Sequence, residues 1–333
     1  MKALFYSIST IIMLAMSVSL GYATNYYISQ ETGNDKRSLV EAQNPSTPWK
    51  SIEKVNSLAN YLKPGDAILF RRGETFYGTL HIKSSGSSTS PIKIGAYGSG
   101  SKPVITSLKT INGWKSIGNG IYESNAAVDA NIVQLLLING KIHEMGRYPN
   151  SNKENEGYLT IDDVSGKDVI YNKQLGSYPN WNGGEVVIKK NQWIINTHKV
   201  ESHSGNQIRY DGNISVYHAQ KDYGFFIQNH IRTLDTYGEW YFNPKTRKMN
   251  VYFGNLNPSS LVVEVSTLDN LFKKDYRDEN IIIESIKFVG SNESSIRLEG
   301  GKNIQIRDTD IDFSGGDGIL SLSVLDLKIE RNT

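Results

Sequence analysis

Four aspartates near the end of the chain have a spacing that could support chemistry. Asp308, Asp310 and Asp312 occupy alternate positions, and Asp317 follows shortly after them. If this segment is a strand with Ile311 facing inward, then Asp310 and Asp312 face outward about 7 Å apart. Two carboxylates near that separation can serve as the general acid and the general base of an inverting glycosidase.

The same aspartates permit two other interpretations. Carboxylates and backbone carbonyls at a chain corner are ligands for a hard cation such as Ca²⁺. Asp is also common at corners simply because its short side chain tolerates turn conformations. We therefore treat Asp310, Asp312 and Asp317 as candidate catalytic residues, while the sequence establishes no metal site.

A second group of candidates lies in the middle of the chain. Glu239 precedes Trp240, so a carboxylate that can accept sugar hydroxyls stands beside a ring on which a sugar can stack. Arg147 could hold a substrate carboxylate through paired hydrogen bonds, although a buried salt bridge explains it equally well. Arg147, Glu239 and Trp240 are the candidate substrate-binding residues.

Composition excludes several other kinds of site. The chain has 333 residues and no cysteine, which rules out disulfides, thiolate metal sites and cysteine nucleophiles. Its formal net charge of +2 lacks the excess positive charge that nucleic-acid binders use. The sequence contains no H-E-x-x-H, G-x-x-x-x-G-K-[ST] or G-x-S-x-G motif, so it shows no signature of a zinc protease, a nucleotide hydrolase or a serine hydrolase.

Residues 1–23 have the layout of a secretory signal peptide. Lys2 precedes an apolar stretch over residues 3–20, and Gly21 and Ala23 are the small residues before a cleavage site. A charged start, a short apolar middle and a small-residue end define such a leader. We predict cleavage after Ala23 and a mature protein that is secreted or periplasmic and has left the membrane.

A repeat of 23 residues runs through the end of the chain. Alternation of apolar and polar residues within each repeat predicts strands, and the period predicts one solenoid turn per repeat. Clusters of Gly, Ser, Asn and Asp between the strands predict the corners of a parallel β-helix, in which matching residues stack about 4.8 Å apart. The matching sets are Ile281, Ile304 and Leu327; Ile283, Ile306 and Ile329; Phe288 and Ile311; Ile296 and Ile319; and Glu284, Arg307 and Glu330.

The residues after the leader predict a cap for this solenoid. Trp49, Ile52, Val55 and Leu58 recur at every third position, which predicts one apolar face on a short helix. Thr47 is the predicted N-cap of that helix. An open solenoid end exposes core side chains and unpaired strand edges, and a short amphipathic helix can cover them.

Short motifs along the chain carry a family resemblance. They are Pro48–Ile52, Pro64–Asp66, Arg72–Gly78, Gly95–Gly98, Lys102–Ile105, Ile138–Lys141, Gly146–Asn150, Phe226–His230 and Gly238–Tyr241. These segments resemble the secreted right-handed parallel β-helix proteins of the pectate-lyase-like superfamily, in particular its carbohydrate-active members. The resemblance covers nearly all of the mature chain. It implies an all-β, right-handed parallel β-helix with an N-terminal capping helix and a β-rich insertion.

The resemblance also implies what the protein does. It predicts a polysaccharide or oligosaccharide as the partner, and a glycoside hydrolase or a polysaccharide lyase that degrades it. A lyase of this kind would use Ca²⁺ or arginine to neutralise a uronate while a basic side chain removes the neighbouring proton. The alternative is a non-catalytic solenoid that binds carbohydrate or mediates adhesion, because this superfamily contains both enzymes and binders.

The sequence predicts four parts of the chain. They are the signal peptide over 1–23, the cap and first turns over 24–149, the β-rich insertion over 150–260, and further turns over 261–333. The last repeat begins near Asp326, and no capping element follows it. We therefore expect the sequence to be the front part of a longer protein that lacks most of its catalytic residues.

Overall fold

The computed structural model describes residues 23–212 and 216–333, so the predicted signal peptide lies outside the described residues except for Ala23. Strands dominate these ranges, which confirms the all-β class. Their one α-helix is α1 (Ile52–Asn56). Short 3₁₀ turns occur at Glu41–Gln43, Glu154–Gly157, Ile231–Thr233 and Pro258–Ser260. None of these helices has the length and the apolar character that crossing a membrane requires.

The first strands of the chain are short and pair in parallel. Each buries at least one apolar side chain in a shared core, as expected for strands with one face on a core. They are β1 (Asn25–Ile28), β2 (Ala67–Arg71), β3 (Thr75–Tyr77), β4 (Leu80–Ile82), β5 (Ile92–Tyr97) and β6 (Val104–Thr106).

The strands that follow are all antiparallel to their partners, and we call them the antiparallel region. They are β7 (Leu108–Thr110), β8 (Trp114–Gly118), β9 (Ile121–Ser124), β10 (Leu136–Ile138), β11 (Lys141–His143), β12 (Arg147–Tyr148), β13 (Leu159–Thr160), β14 (Asp163–Ser165), β15 (Val169–Tyr171), β16 (Glu185–Lys189), β17 (Ile195–Ser204), β18 (Gln207–Tyr210), β19 (Gly224–Gln228), β20 (Trp240–Asn243), β21 (Lys248–Tyr252) and β22 (Val263–Ser266). These strands begin before, and end after, the predicted insertion over 150–260. The reason is that β7 and β10 pair with β22 instead of joining the parallel sheets.

The chain then returns to the parallel sheets. The returning strands are β23 (Phe272–Lys274), β24 (Ile281–Glu284), β25 (Lys287–Ser291), β26 (Ile296–Glu299), β27 (Lys302–Arg307), β28 (Asp310–Ser314), β29 (Ile319–Leu322) and β30 (Leu325–Glu330). Sheet A has the order β1-β2-β5-β24-β27-β30, sheet B has β3-β6-β25-β28, and sheet C has β4-β23-β26-β29. We call β1–β6 and β23–β30 the parallel region.

The predicted register of the repeat is confirmed in the parallel region. Ile281 pairs with Ile304 and Ile304 with Leu327 in sheet A, while Phe288 pairs with Ile311 in sheet B. Ile281, Ile304 and Phe288 are fully buried. Burial of each such side chain contributes about 1.5–3 kcal/mol relative to leaving it exposed. The repeat therefore encodes a continuous stacked core.

The corners of the parallel region have a backbone reason for their polar residues. Asn280 directly precedes β24, Asn303 and Asp326 are the second residues of β27 and β30, and each of the three has a φ of 54°. Asn and Asp enter this left-handed conformation more readily than most other residues. The amide of Asn303 also donates from Nδ2 to Oδ1 of Asn280 at 3.0 Å, so the corners bond to each other from turn to turn.

Helix α1 starts later than the sequence predicts. The hydroxyl of Ser51, not that of Thr47, accepts the backbone N–H of Lys54 at 3.0 Å and caps the helix. Trp49 cannot belong to the helix because it forms a parallel bridge with Ile28 beside β1, which keeps its backbone extended. The predicted N-cap is therefore wrong by one helical turn.

The helix nevertheless covers a strand edge. The side chain of Asn56 donates to the carbonyl of Thr79 at 2.8 Å and accepts the N–H of His81 at 2.9 Å. These are the backbone groups that a further strand would pair with on the open side of β4. Ile52 and Val55 are buried in the core of the parallel region, so α1 closes both the edge and the core.

The antiparallel region contains two hydrophobic cores of its own. One includes Trp181 and Phe225, and the other includes Trp240 and Phe253. The chain leaves the parallel region after β6 and re-enters it at β23, so the two regions meet at the corner between sheets B and C.

Candidate active site

A cleft of about 440 Å³ lies where the two regions meet, and we call it the junction cleft. Its position follows from the topology, since the whole antiparallel region lies in the chain between β6 of sheet B and β23 of sheet C. The walls are formed by residues 267–270, Thr79, Lys273 and Asn292 from the parallel side, and by residues 129–132 and Arg247 from the antiparallel side.

The parallel wall is held by bonds between the departing and the returning chain. Thr267 donates from Oγ1 to the carbonyl of Ser107 at 2.6 Å, and its N–H donates to the Ser107 hydroxyl at 3.2 Å. The hydroxyl of Tyr77 lies 2.9 Å from Oγ1 of Thr267, and Asn270 donates from Nδ2 to the carbonyl of Ser294 at 2.8 Å. These bonds fix the segment that carries Asp269.

The opposite wall is held by one buried asparagine. Asn292 is 3% exposed, and its Oδ1 accepts the N–H of Gln134 at 3.0 Å and the hydroxyl of Ser266 at 2.5 Å. Its Nδ2 donates to the carbonyl of Ile132 at 3.0 Å. A side chain of the parallel region thus holds the loop over residues 128–134 against the corner.

Four charged side chains of the junction cleft have no partner within the described residues. Asp129 and Arg247 lie on the antiparallel wall, and Asp269 and Lys273 lie on the parallel wall. None of the four side chains forms a hydrogen bond or an ion pair with another described residue. The backbone of Arg247 has a φ of 55° and accepts the N–H of Val128 at 2.6 Å. The cleft therefore offers two free carboxylates and two free cations to a ligand.

The corner that contains Asp269 repeats in the next turns. The N–H of Glu293 donates to the carbonyl of Asp269, and the N–H of Gly316 donates to the carbonyl of Glu293, both at 2.9 Å. The N–H of Ser295 donates to the carbonyl of Asp317 at 3.2 Å. Asp317 therefore lies at a corner in the same stacked column. Its side chain is exposed, but it does not line the junction cleft.

The structure places Asp310 and Asp312 in ion pairs on the outer surface of sheet B. Oδ1 of Asp310 lies 2.6 Å from Nζ of Lys102, and Oδ2 of Asp312 lies 2.6 Å from Nζ of Lys287. Ile311 packs against the core, as predicted. Both carboxylates are engaged by lysines on an open face of the sheet, so this geometry favours a structural role for both aspartates.

Asp308 does not continue the strand, contrary to the alternation expected from the sequence. It lies at the corner between β27 and β28 with a φ of 51°. Nε and Nη2 of Arg331 donate to its carboxylate at 2.7 and 2.8 Å. These bonds, followed by the charge of Arg331, hold the pKa of Asp308 below its ordinary value.

The second group of predicted residues lies in the antiparallel region, away from the junction cleft. Trp240 is 1% exposed and donates from Nε1 to the carbonyl of His143 at 2.8 Å. Its ring therefore offers no face on which a sugar could stack. The carboxylate of Glu239 is buried and accepts the N–H groups of Asp235 and Thr236, each at 2.9 Å. Burial raises the pKa of Glu239 although these two bonds act to lower it.

Arg147 organises a loop of the antiparallel region. Its guanidinium donates to the carbonyls of Pro149 and Gly157 at 3.1 and 2.8 Å. It also lies over the ring of Phe226, 3.7 Å from the ring centre. Nε and Nη2 of Arg147 are therefore engaged by the backbone, and Arg147 forms no salt bridge with any residue that the structure describes.

The described residues do not fit the Ca²⁺ site that a lyase would imply. No group of three or more histidine or carboxylate side chains in residues 23–212 and 216–333 is placed to share an ion. Asp310 and Asp312 bond to lysines, whereas Ca²⁺ requires six to eight oxygen ligands.

Sequence reasoning missed both carboxylates of the junction cleft. For Asp269 a signal exists, because Phe272 pairs with Ile296 at an offset of 24 residues. Extending the repeat backwards with one extra residue would have aligned Asp269 with Glu293. Asp129 has no such signal, because the loop that carries it reaches the corner only through the fold of the antiparallel region.

Comparisons with known proteins relate the chain to glycoside hydrolases. No protein-family model matches the sequence. A segment of 88 residues is 42% identical to lacto-N-biosidase of Bifidobacterium longum subsp. longum, covering 25% of this chain and 5% of that enzyme. A solved structure described as a glycoside hydrolase superposes with a TM-score of 0.62 at 16% identity, covering 87% of this chain and 65% of that chain.

A GH136 lacto-N-biosidase structure from Eubacterium ramulus has a TM-score of 0.33 at 15% identity, covering 87% of this chain and 34% of that chain. The chain thus spans less than two thirds of the length of each of these three proteins. At 16% identity, the superposition with the first structure shows a similar fold.

Proposed function

We propose that this chain belongs to a secreted glycoside hydrolase that cleaves a polysaccharide or an oligosaccharide in the junction cleft. The observation that carries the proposal is the pair of unpartnered carboxylates, Asp129 of the antiparallel region and Asp269 of the segment returning to the parallel region, that line one polar cleft. The fold shared with a glycoside hydrolase and the segment similar to lacto-N-biosidase support the reaction class. Those names describe the neighbours, and their transfer to this chain is part of the proposal.

We also propose an architecture for the chain. Sheets A, B and C form a right-handed parallel β-helix of the pectate-lyase-like type, and the antiparallel region is an insertion in one of its turns. Parallel pairing at a 23-residue interval supports this arrangement. The leader over 1–23 directs the protein out of the cytoplasm, and its charged start and small-residue end support that role.

The chemistry needs two carboxyl groups in different roles. One protonates the glycosidic oxygen as the bond to the anomeric carbon breaks. The other either removes a proton from the attacking water or attacks the anomeric carbon directly. Asp129 and Asp269 both line the junction cleft, and we assign these two roles to them. The amide of Asn131, which is exposed on the antiparallel wall, is available to bind sugar hydroxyls.

The test is hydrolysis of a broad glycan panel by the full chain. For a substrate that the unmodified protein cleaves, Asp129→Asn and Asp269→Asn should each lower kcat by about 10²–10⁴-fold, the range expected for a lost acid or base. Asp310→Asn is the matched control, because Asp310 lies on the outer face of sheet B, and it should retain activity. Full activity in both cleft variants would contradict the proposed site.

The products distinguish the remaining alternatives. A lyase leaves an unsaturated uronate that absorbs in the ultraviolet, whereas a hydrolase leaves two saturated ends. Binding of a glycan without any cleavage would instead favour the non-catalytic carbohydrate-binding solenoid. Proton NMR of the first product then shows whether the anomeric configuration is inverted or retained.

A further inference from the structure

The outer face of sheet C places basic residues side by side, whereas Glu284, Arg307 and Glu330 alternate in sign on sheet A. Lys273 pairs in register with His81 on one side and with Arg297 on the other. Neighbouring strands lie about 4.8 Å apart, and the like charges of Lys273 and Arg297 at that spacing are destabilising. We call these three residues the basic column. Core formation does not require it, because all three side chains lie on the outer face.

The middle of the basic column is left uncompensated. His81 lies 2.5 Å from Oδ1 of Asp275, and Arg297 donates to Glu299 at 2.7 Å. Lys273 has no such partner among the described residues, although its neighbours do. Lys273 is the member of the column that lines the junction cleft.

A second cation approaches the cleft from the opposite wall. Arg247 belongs to the turn between β20 and β21, and its backbone is left-handed. Non-glycine residues in this conformation are held there by their surroundings and are concentrated at functional sites. Here the carbonyl of Arg247 accepts the N–H of Val128, which fixes Arg247 beside the loop that carries Asp129. Its guanidinium has no described partner.

We infer that the glycan bound in the junction cleft carries an anionic group and that Lys273 and Arg247 bind this group. The inference rests on the proposed function of the cleft and adds the substrate class. A sulfate ester and a uronate carboxylate share the required chemistry, since both accept charge-assisted hydrogen bonds from ammonium and guanidinium donors. Asp129 and Asp269 would repel a second anionic group on the glycan. The cleft therefore favours a glycan whose negative charge lies beside Lys273 and Arg247.

Calorimetric titration of the full chain tests this inference with three probes. They are an oligogalacturonate, a sulfated galactose oligosaccharide and a neutral galactose oligosaccharide of equal length. We expect at least one anionic probe to bind at least tenfold more tightly than the neutral one, with an affinity that falls as salt rises. The stronger anionic probe identifies whether the group is a carboxylate or a sulfate.

Variants connect the preference to the cleft. Lys273→Met and Arg247→Gln should each weaken binding of the preferred anionic probe by about tenfold and leave the neutral probe unchanged. Lys115→Met is the matched control, because Lys115 is an exposed lysine of β8 outside the cleft. It should leave all three affinities unchanged.

Three outcomes would overturn the inference. They are failure of both anionic probes to bind, equal affinity for the neutral probe, and an anionic preference that survives both cleft variants. In the last two cases the proposed function would still stand if the protein hydrolyses a neutral glycan and Asp269→Asn abolishes that hydrolysis. If the two cleft variants lose the anionic preference but the protein hydrolyses no glycan, the inference about the anionic group stands and the proposed hydrolase function fails.

Discussion

Acidic side chains on the outer surface of the parallel region and those in the junction cleft differ in whether they form ion pairs. Asp308, Asp310 and Asp312 each form an ion pair with a lysine or an arginine. Asp129 and Asp269 contact none among the described residues, although Arg247 and Lys273 line the same cleft. The first arrangement neutralises a repeating surface, and the second leaves charges available to a ligand.

This difference shows where chemistry can arise in a stacked fold. A regular turn places every residue beside its copy, so charges of opposite sign pair and become structural. Asp269 stacks on Glu293 on one side, but it also lines a cleft with residues 129–132 and Arg247 of the antiparallel region. If the junction cleft is the active site, the density of acidic residues is a weaker guide to it than the interruption of the repeat.

The largest expected effect concerns the core that makes the repeat possible. Phe288→Ala removes a fully buried ring from the core of the parallel region. We expect it to lower the free energy of unfolding by about 3–5 kcal/mol, measured by urea denaturation. Leu322→Ala, at a 46% exposed position in the same region, should cost far less. Equal losses would mean that the stacked core does not dominate stability.

The connection between the two regions gives the next effect. Asn292→Ala removes two hydrogen bonds to the loop over 128–134 and a third to Ser266 of β22. Leaving those buried partners unpaired should cost about 1–3 kcal/mol of stability. On a cleaved glycan, kcat should also fall, because Asp129 moves away from Asp269.

Asn332→Ala is the control for that prediction. Asn332 also bonds to the backbone on both sides, accepting from Thr309 and donating to Ile306, both at 2.9 Å. It lies in the parallel region outside the cleft, so its loss should lower stability and leave kcat unchanged. Equal loss of kcat in both variants would contradict a specific connection between Asn292 and the site.

An ion pair of sheet A provides a pH-dependent test. Burial acts to raise the pKa of Glu284, but hydrogen bonds from Arg307 and Lys93 outweigh it, so the pKa lies below 4.5. The folded state therefore binds this proton less tightly than the unfolded state. The resulting stability is present above pH 4.5 and is lost as the pH falls through the lower folded pKa.

Arg307→Met should remove that contribution. We expect a deficit of about 1 kcal/mol in unfolding free energy at pH 7, which shrinks as the pH falls from 4.5 to 3. Arg331→Met, which breaks the more exposed pair with Asp308, should produce a smaller deficit. A deficit for Arg307→Met that is constant from pH 7 to 3 would show that the lost methylene packing, not the charge, is responsible.

The smallest effect should come from the acidic residues that look most catalytic in the sequence. Asp312→Asn breaks a half-exposed pair with Lys287, and such pairs contribute about 0–1 kcal/mol. Unfolding free energy should change within that range, and the rate of glycan hydrolysis should stay the same. A loss of activity comparable to that of Asp269→Asn would move the active site to the face of sheet B.

Parts of the fold could be predicted because they depend on local repetition. The pairing of Ile281 with Ile304 follows from the period alone, and the observed register agrees with it. The start of α1 could not be predicted from the apolar spacing, because the bridge between Trp49 and Ile28 is a contact between distant residues. The burial of Trp240 could not be predicted either, because its position next to Glu239 in the sequence does not show which side chain faces the core.

The sequence by itself determined the all-β class, the stacked core and the corners. Each of these needs only residue types that recur at a fixed interval, since identical turns pack on each other by the same contacts. Tertiary structure alone decided the junction cleft. Asp129 and Asp269 are separated by most of the antiparallel region, and they meet because β7 and β10 pair with β22 and return the chain to the corner where it left. No periodic pattern in the sequence predicts that these two residues line one cleft, because this depends on contacts between segments that share no repeat.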